Sequence, residues 1–194
     1  RDSYLETYDR DQPWFCWVSF GGPHEPWDAP EPFAGMYEPE AMPKPVPRSS
    51  ADQPRPTGWL DFYMDRASPN FDPGDEAAMR ANYAGNVTLI DDQIGQILDA
   101  IEARDELDNT VIVFTSDHGE MNGDWGLIYK MNFLNGALRV PLLVRTPETT
   151  KAGGGMVNRS MAENADIGPT IVELAGGELP HQQFAKSLVG ALDG

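Results

Sequence analysis

The sequence predicts an α/β domain with a mainly parallel sheet. Two apolar, strand-like runs, Pro13 to Phe20 and Thr110 to Thr115, flank a long helical stripe, and a third run follows at Val140 to Val144. Strands separated by a helix of this length suggest βαβ connectivity, which brings parallel strands together. The chain has 194 residues, of which 40% are hydrophobic, enough to build a core.

The elements read in order as follows. "PWFCWVSF", residues 13–20, reads as a buried strand, with Cys16 as a small buried hydrophobe inside it. "GGPHEPWDAPEPF" then breaks regular structure with Pro23, Pro26, Pro30 and Pro32, and residues 30–70 form a proline-rich irregular loop. Such a long loop inside a domain is usually functional or packed over a site. Asp72-Pro73 marks a helix start, an N-cap followed by proline at the first helical position. Met79, Tyr83, Val87, Ile90, Ile94, Ile97 and Ile101 recur at steps of three and four and make one stripe. Asp108-Asn109 leads to the strand Thr110 to Thr115. Residues 148–158, "ETTKAGGGMVN", read as a loop, and Asn164 to Leu174 as a helix stopped by Gly176-Gly177.

Charge narrows the partners. Fourteen Lys and Arg face 31 Asp and Glu, a net charge of −17, which argues against nucleic acid or an anionic membrane surface as the main partner, since both need a basic patch. A small anionic substrate stays possible if local cations reverse the field. No apolar run reaches the roughly 18 residues of a membrane span. A single cysteine makes no internal disulfide and leaves the compartment open. The N-x-[ST] sites at Asn86 and Asn158 read as chance.

In open α/β sheets ligands bind beyond the carboxyl ends of strands. The first run leads to His24 and the second to Asp117-His118; parallel neighbours would bring these side chains to one edge. Asp117 and His118 pair a hard oxygen with an imidazole nitrogen, which suits a divalent cation without choosing among calcium, magnesium, manganese and zinc. An Asx-turn with a surface histidine explains the same dipeptide. His24 reads equally as a loop residue packed on Trp27, and Lys130 as a solvated lysine.

"TSDHGEMNGDWGLIYKMNFLNGALRVPLLVRTP", residues 115–147, resembles the sulfatase signature of the alkaline phosphatase superfamily. "PWFCWVSFGGPHEPWDAPEPF" resembles the family's strand and Pro-His-x-Pro element, "NYAGNVTLIDDQIGQILDAIE" its preceding helix, and "ADIGPTIVELAGGELP" its Asp-Ile-x-Pro-Thr helix. The resemblance implies a three-layer α/β/α fold present as a fragment: a partial catalytic domain over 1–177, with 178–194 opening the C-terminal region. It implies that Asp117 and His118 bind the metal, calcium first with manganese or magnesium as alternatives. His24 and Lys130 would contact the sulfate of a small anionic ester, and Lys130 would assist the leaving oxygen. A metal with Lys and His is an electrostatic clamp for the charge of such a transition state. Glu120 supports or caps the turn, and Arg139 braces "RVPLL".

The family nucleophile, a formylglycine made from a C/S-x-P-x-R motif, has no counterpart here, and the adjacent metal aspartates near the family N-terminus are also missing; Asp91-Asp92 reads as a solvated helix face. The chain is therefore expected to be the middle and later part of a sulfuric ester hydrolase, inactive alone, with its formylglycine supplied upstream. Trp125 stands where His is frequent, Asn135 where Glu is frequent, and Ala185 to Leu188 is a loose version of Gly-x-Ser-Leu. The Trp-Gly-Leu-x-x-Lys spelling points to the choline-sulfatase and phosphonate monoester hydrolase branch. A phosphonate monoester hydrolase or phosphodiesterase, and a degenerate non-catalytic domain, are the alternatives.

Overall fold

A computed structural model describes residues 11–47 and 72–192. The second half of the 30–70 loop lies outside the described residues. The chain divides into two compact units: Arg1–Leu107 with His118–Val140, and Asp108–Asp117 with Pro141–Gly194.

The first unit is organised by helix α1, Pro73–Glu102, whose 30 residues span about 45 Å. Proline opens it after Asp72, and Asp75 and Glu76 place negative charge on the positive end of its dipole. The apolar stripe buries Met79 and Ile101 but leaves Val87 exposed. Residues 21–47 run over this helix as turns and irregular chain with one short 3-10 helix, Pro39–Ala41. The contact needs Gly85: a side chain there would strike the carbonyl of Phe33. Tyr37 and Thr88 hydroxyls then meet at 2.7 Å. The described part of the proline-rich loop is thus packed on the helix.

Residues 13–20 are not a strand. Phe15, Trp17 and Val18 are exposed, and so is Cys16. A strand exists only where a neighbour takes its backbone hydrogen bonds, and no strand pairs with these residues among those described. Cys16 is exposed for the same reason: among the described residues, no second layer covers the run.

The core of this unit is the segment 119–138. The chain folds back on itself through Gly119 N to Ala137 O (2.8 Å), Met121 N to Tyr129 O (3.0 Å) and Gly123 N to Leu127 O (2.9 Å). Met121, Leu127, Leu134 and Ala137 are buried together, with Trp125 against them. The tight tip, Asp124–Gly126, uses left-handed backbone at Gly123, Trp125 and Gly126. A four-residue helix, α2 (Asn135–Leu138), closes the segment.

The second unit holds strands β1, Ile112–Thr115, and β2, Leu142–Arg145. They pair antiparallel, Ile112 opposite Arg145 and Thr115 opposite Leu142. The parallel expectation fails for this pair because the connection leaves Thr115 and returns at Leu142 on the same end, whereas a parallel pair needs a crossover to the opposite end. β1 starts two residues later than its apolar run. Thr110 sits before it, its carbonyl accepting from Arg145 Nη1 at 3.3 Å.

A short helix, α3 (Pro147–Lys151), occupies the first part of the expected 148–158 loop. Thr146 and Thr149 form a reciprocal capping box, an option open to Thr at N3 as well as to Glu or Gln. Gly153, Gly154 and Gly155, all at positive φ, then release the chain. The expected 164–174 helix is a 3-10 turn, Asn164–Asp166, followed by α4, Ile167–Leu174, with Gly176 at φ 74° just beyond its end. Asp166 explains the break. Its carboxylate accepts from Lys186 N (2.8 Å) and Glu163 N (2.9 Å). Those two amides hold the acid below its usual range, against a smaller opposing effect of desolvation. Thr170 Oγ1 accepts from Leu188 N at 2.8 Å, so the "AKSL" stretch is tied to α4 before the last helix, α5 (Val189–Leu192). No helix among the described residues is long and apolar enough to cross a membrane.

Candidate active site

His24 and Lys130, 106 residues apart in sequence, meet in the first unit: Lys130 Nζ lies 2.5 Å from His24 Nε2. The same ammonium is 3.5 Å from Glu25 Oε2. Glu25 Oε2 is 3.1 Å, and its carbonyl oxygen 3.0 Å, from His24 Nδ1. The proline-flanked turn supplies His24 and Glu25, and the folded-back segment 119–138 supplies Lys130. Lys130 is only 20% exposed, so its charge is partly withdrawn from water.

Lys130 is placed by Glu120. One oxygen of that carboxylate accepts from Tyr129 N (2.5 Å) and Asn122 N (3.1 Å), bridging the two sides of the turn just before the lysine. Asn122 and Tyr129 both have positive φ, rare for residues with a side chain. Burial pushes the Glu120 carboxyl up, and the charge of Glu25 adds to this; the two amides and Lys130 pull the other way. Burial and the charge of Glu120 in turn raise the Tyr83 phenol. On the other side of the loop, Arg80 of α1 donates to Asn122 O (2.7 Å) and Asp124 Oδ1 (3.3 Å). Asp124 also accepts from Val46 N at 2.9 Å. Trp27 stacks on Tyr129, with ring centroids 6.3 Å apart.

His118 lies in the same unit, its ring 6.5 Å from that of His24. Its Nδ1 donates to Gly119 O at 2.9 Å, which makes Nε2 the ring's acceptor nitrogen. Asp117 belongs to the second unit and is exposed. There the side-chain amide of Asn164 donates to Ser116 O (2.9 Å) and Asp117 O (3.1 Å), holding the backbone that carries this acid. The donor types suit a divalent cation, and a neutral imidazole presenting Nε2 fits coordination. Among the described residues, no group of three or more His, Cys, Asp or Glu is gathered to hold an ion.

Sequence reasoning missed Glu25, Arg80 and Asn164. Glu25 had a signal, its adjacency to His24. Arg80 and Asn164 had none, because their partners lie 42 or more residues away.

The sulfatase family profile matches residues 2–177. This chain belongs to the sulfatase family. Among curated sulfatase relatives, it is 37% identical to the choline-sulfatase of Rhizobium meliloti over 55% of its own length and 20% of that protein's. It is 36% identical to the multifunctional alkaline phosphatase superfamily protein PehA of Trinickia caryophylli over 61% of its length and 23% of that protein's. In structure it superposes on the phosphonate monoester hydrolase of Agrobacterium radiobacter with a TM-score of 0.87 at 30% identity, covering 98% of this chain and 40% of that one. The α/β sulfatase fold expected from the resemblance is therefore the fold observed, and the chain spans about a fifth to a quarter of these curated relatives.

Proposed function

We propose that this chain is the part of a sulfuric ester hydrolase that holds the anionic ester and its leaving oxygen. The observation that carries the reading is the meeting of Lys130 and His24 at 2.5 Å on a chain with a net charge of −17. Two nitrogen groups brought to one point in a strongly acidic protein make a local site for an anion. Lys130 binds a non-bridging oxygen of the ester as a compact point charge. A proton held between Nζ and Nε2 is available to the departing alkoxide. Desolvation strengthens both effects where charge develops.

Asp117 and His118 are proposed as two ligands of a divalent metal, calcium foremost, with manganese or magnesium as alternatives; it would neutralise charge on the ester oxygens. The formylglycine nucleophile is assigned by this proposal to sequence outside the chain, and the isolated chain is then inactive. The second reading, a phosphonate monoester hydrolase or phosphodiesterase, is favoured by the superposition on the Agrobacterium enzyme.

The test is hydrolysis by the complete protein, with divalent metal, of 4-nitrophenyl sulfate beside the matching phosphate diester and phosphonate monoester. Preference for the sulfate supports the proposal, and preference for a phosphorus ester selects the second reading. Turnover of none, with the protein folded and metal-loaded, points to a domain kept for binding.

A further inference from the structure

Glu25 stands between the two groups of the clamp, and nothing in the proposed chemistry yet uses it. An ammonium has donors and no acceptor, so the short contact between Lys130 Nζ and His24 Nε2 requires Nε2 to be the acceptor. An imidazole that accepts at Nε2 carries its proton on Nδ1. Two oxygens of Glu25 face that atom, the carbonyl at 3.0 Å and Oε2 at 3.1 Å. The tautomer follows from this network of partners. Oε2 also lies 3.5 Å from Nζ, so one carboxylate oxygen touches both members of the pair.

We infer that Glu25 is the positioning residue of the clamp: it holds His24 in the Nδ1–H tautomer, keeps Lys130 against Nε2, and competes with the incoming anion for the ammonium. This inference rests on the proposed function, since it assigns Glu25 to the site that would take the ester. The carboxyl of Glu25 is held below its ordinary range. Burial acts upward on it and is outweighed by its own backbone amide and by the charge and hydrogen bond of Lys130. It is therefore a carboxylate at neutral pH and supplies the competing charge.

The experiment compares wild type, Glu25→Gln and Glu25→Ala in the complete protein. It reads kcat and KM for the ester, Tm, and the affinity for inorganic sulfate by calorimetry. Glu25→Ala removes both the acceptor and the charge. It lowers kcat about 10- to 100-fold, as losing the partner that orients a functional histidine does, with Tm nearly unchanged. Glu25→Gln keeps an acceptor for Nδ1 and removes the charge. It retains kcat within a few-fold and tightens sulfate binding about two- to fivefold, the scale of a partly exposed ion pair. Two results overturn the inference: Glu25→Ala matching wild type in kcat and sulfate affinity, or a rate loss in Glu25→Ala that tracks a fall in Tm while Glu25→Gln binds sulfate like wild type. If wild type turns over no ester but Glu25→Gln still tightens sulfate, the proposed function fails and Glu25 keeps its role. Normal turnover with both variants indistinguishable from wild type gives the reverse.

Discussion

Residues 13–20 and 119–138 both carry large apolar side chains, and the second leaves Met131 and Phe133 exposed too, but only the second buries a cluster of them. Phe15 and Trp17 are 63% and 74% exposed, whereas Met121 and Leu127 are 1% and 0% exposed. The second stretch closes its own backbone hydrogen bonds, Gly119 to Ala137 and Met121 to Tyr129, and packs its side chains on one another. The first has strand composition but no strand beside it among the described residues. Apolar content buries a segment only where a partner exists to receive it.

The comparison breaks most sharply at Gly119. A Cβ there would run into the backbone carbonyl of Gly136, which cannot yield as a flexible side chain would. Gly119→Ala is expected to cost about 4 kcal/mol, the range reserved for specific steric or buried-group failures, read as a fall in the urea midpoint. A loss within about 0.5 kcal/mol would mean that the close approach is not needed.

Lys130→Ala separates function from folding within the same segment. Lys130 points into the clamp, while the segment's stability comes from Met121, Leu127 and Leu134. In the complete protein this change is expected to lower kcat/KM about 100- to 1,000-fold, as losing one group that stabilises developing charge does, with Tm nearly unchanged. Parallel losses of rate and Tm would make Lys130 a structural residue.

Asp166 tests closure by a carboxylate instead of by apolar packing. Its folded pKa is depressed, so the stability it contributes is complete above the ordinary value of 3.8 and is lost as pH falls through the lower folded value. Asp166→Asn is expected to flatten the fall of Tm between about pH 5 and pH 2, with both proteins scanned in the same buffers. An unchanged slope would remove the two amide bonds from the account of stability.

The smallest effect is expected at Trp17. With its side chain mostly in water, Trp17→Ser in the 194-residue chain should leave the unfolding free energy within about 0.5 kcal/mol of wild type. A larger loss would show that residues 13–20 are covered in solution.

Local rules read part of the molecule correctly. Asp72-Pro73 and the spacing from Met79 to Ile101 predict α1 because a helix is built from neighbours three and four residues apart. Gly176 ends the last part of the 164–174 helix for an equally local reason. The Thr146–Thr149 capping box was also local, and was missed because its second member is Thr, not the usual Glu or Gln. The orientation of β1 against β2 was not legible, since it depends on which end of the strands the connection returns to. Of the candidate site, His24, Asp117, His118 and Lys130 stood out in sequence by residue type and surroundings. Glu120 was read as a support or cap of the turn, and its carboxylate takes the amides of Tyr129 and Asn122. Glu25 and Asn164 did not show their roles, because a carboxylate or amide acquires a task only from the groups the fold sets beside it.

The sequence by itself determined the long helix, the turn-rich segment that presents Lys130, the acidic balance and the membership of the sulfatase family. Only the tertiary structure decided that Lys130 reaches His24 across 106 residues, that one carboxylate touches both, and that the apolar run at 13–20 stays uncovered among the described residues. The reason is one of range. Backbone periodicity and capping are settled within a few residues, whereas a clamp or a buried strand depends on partners brought together only when the whole chain closes.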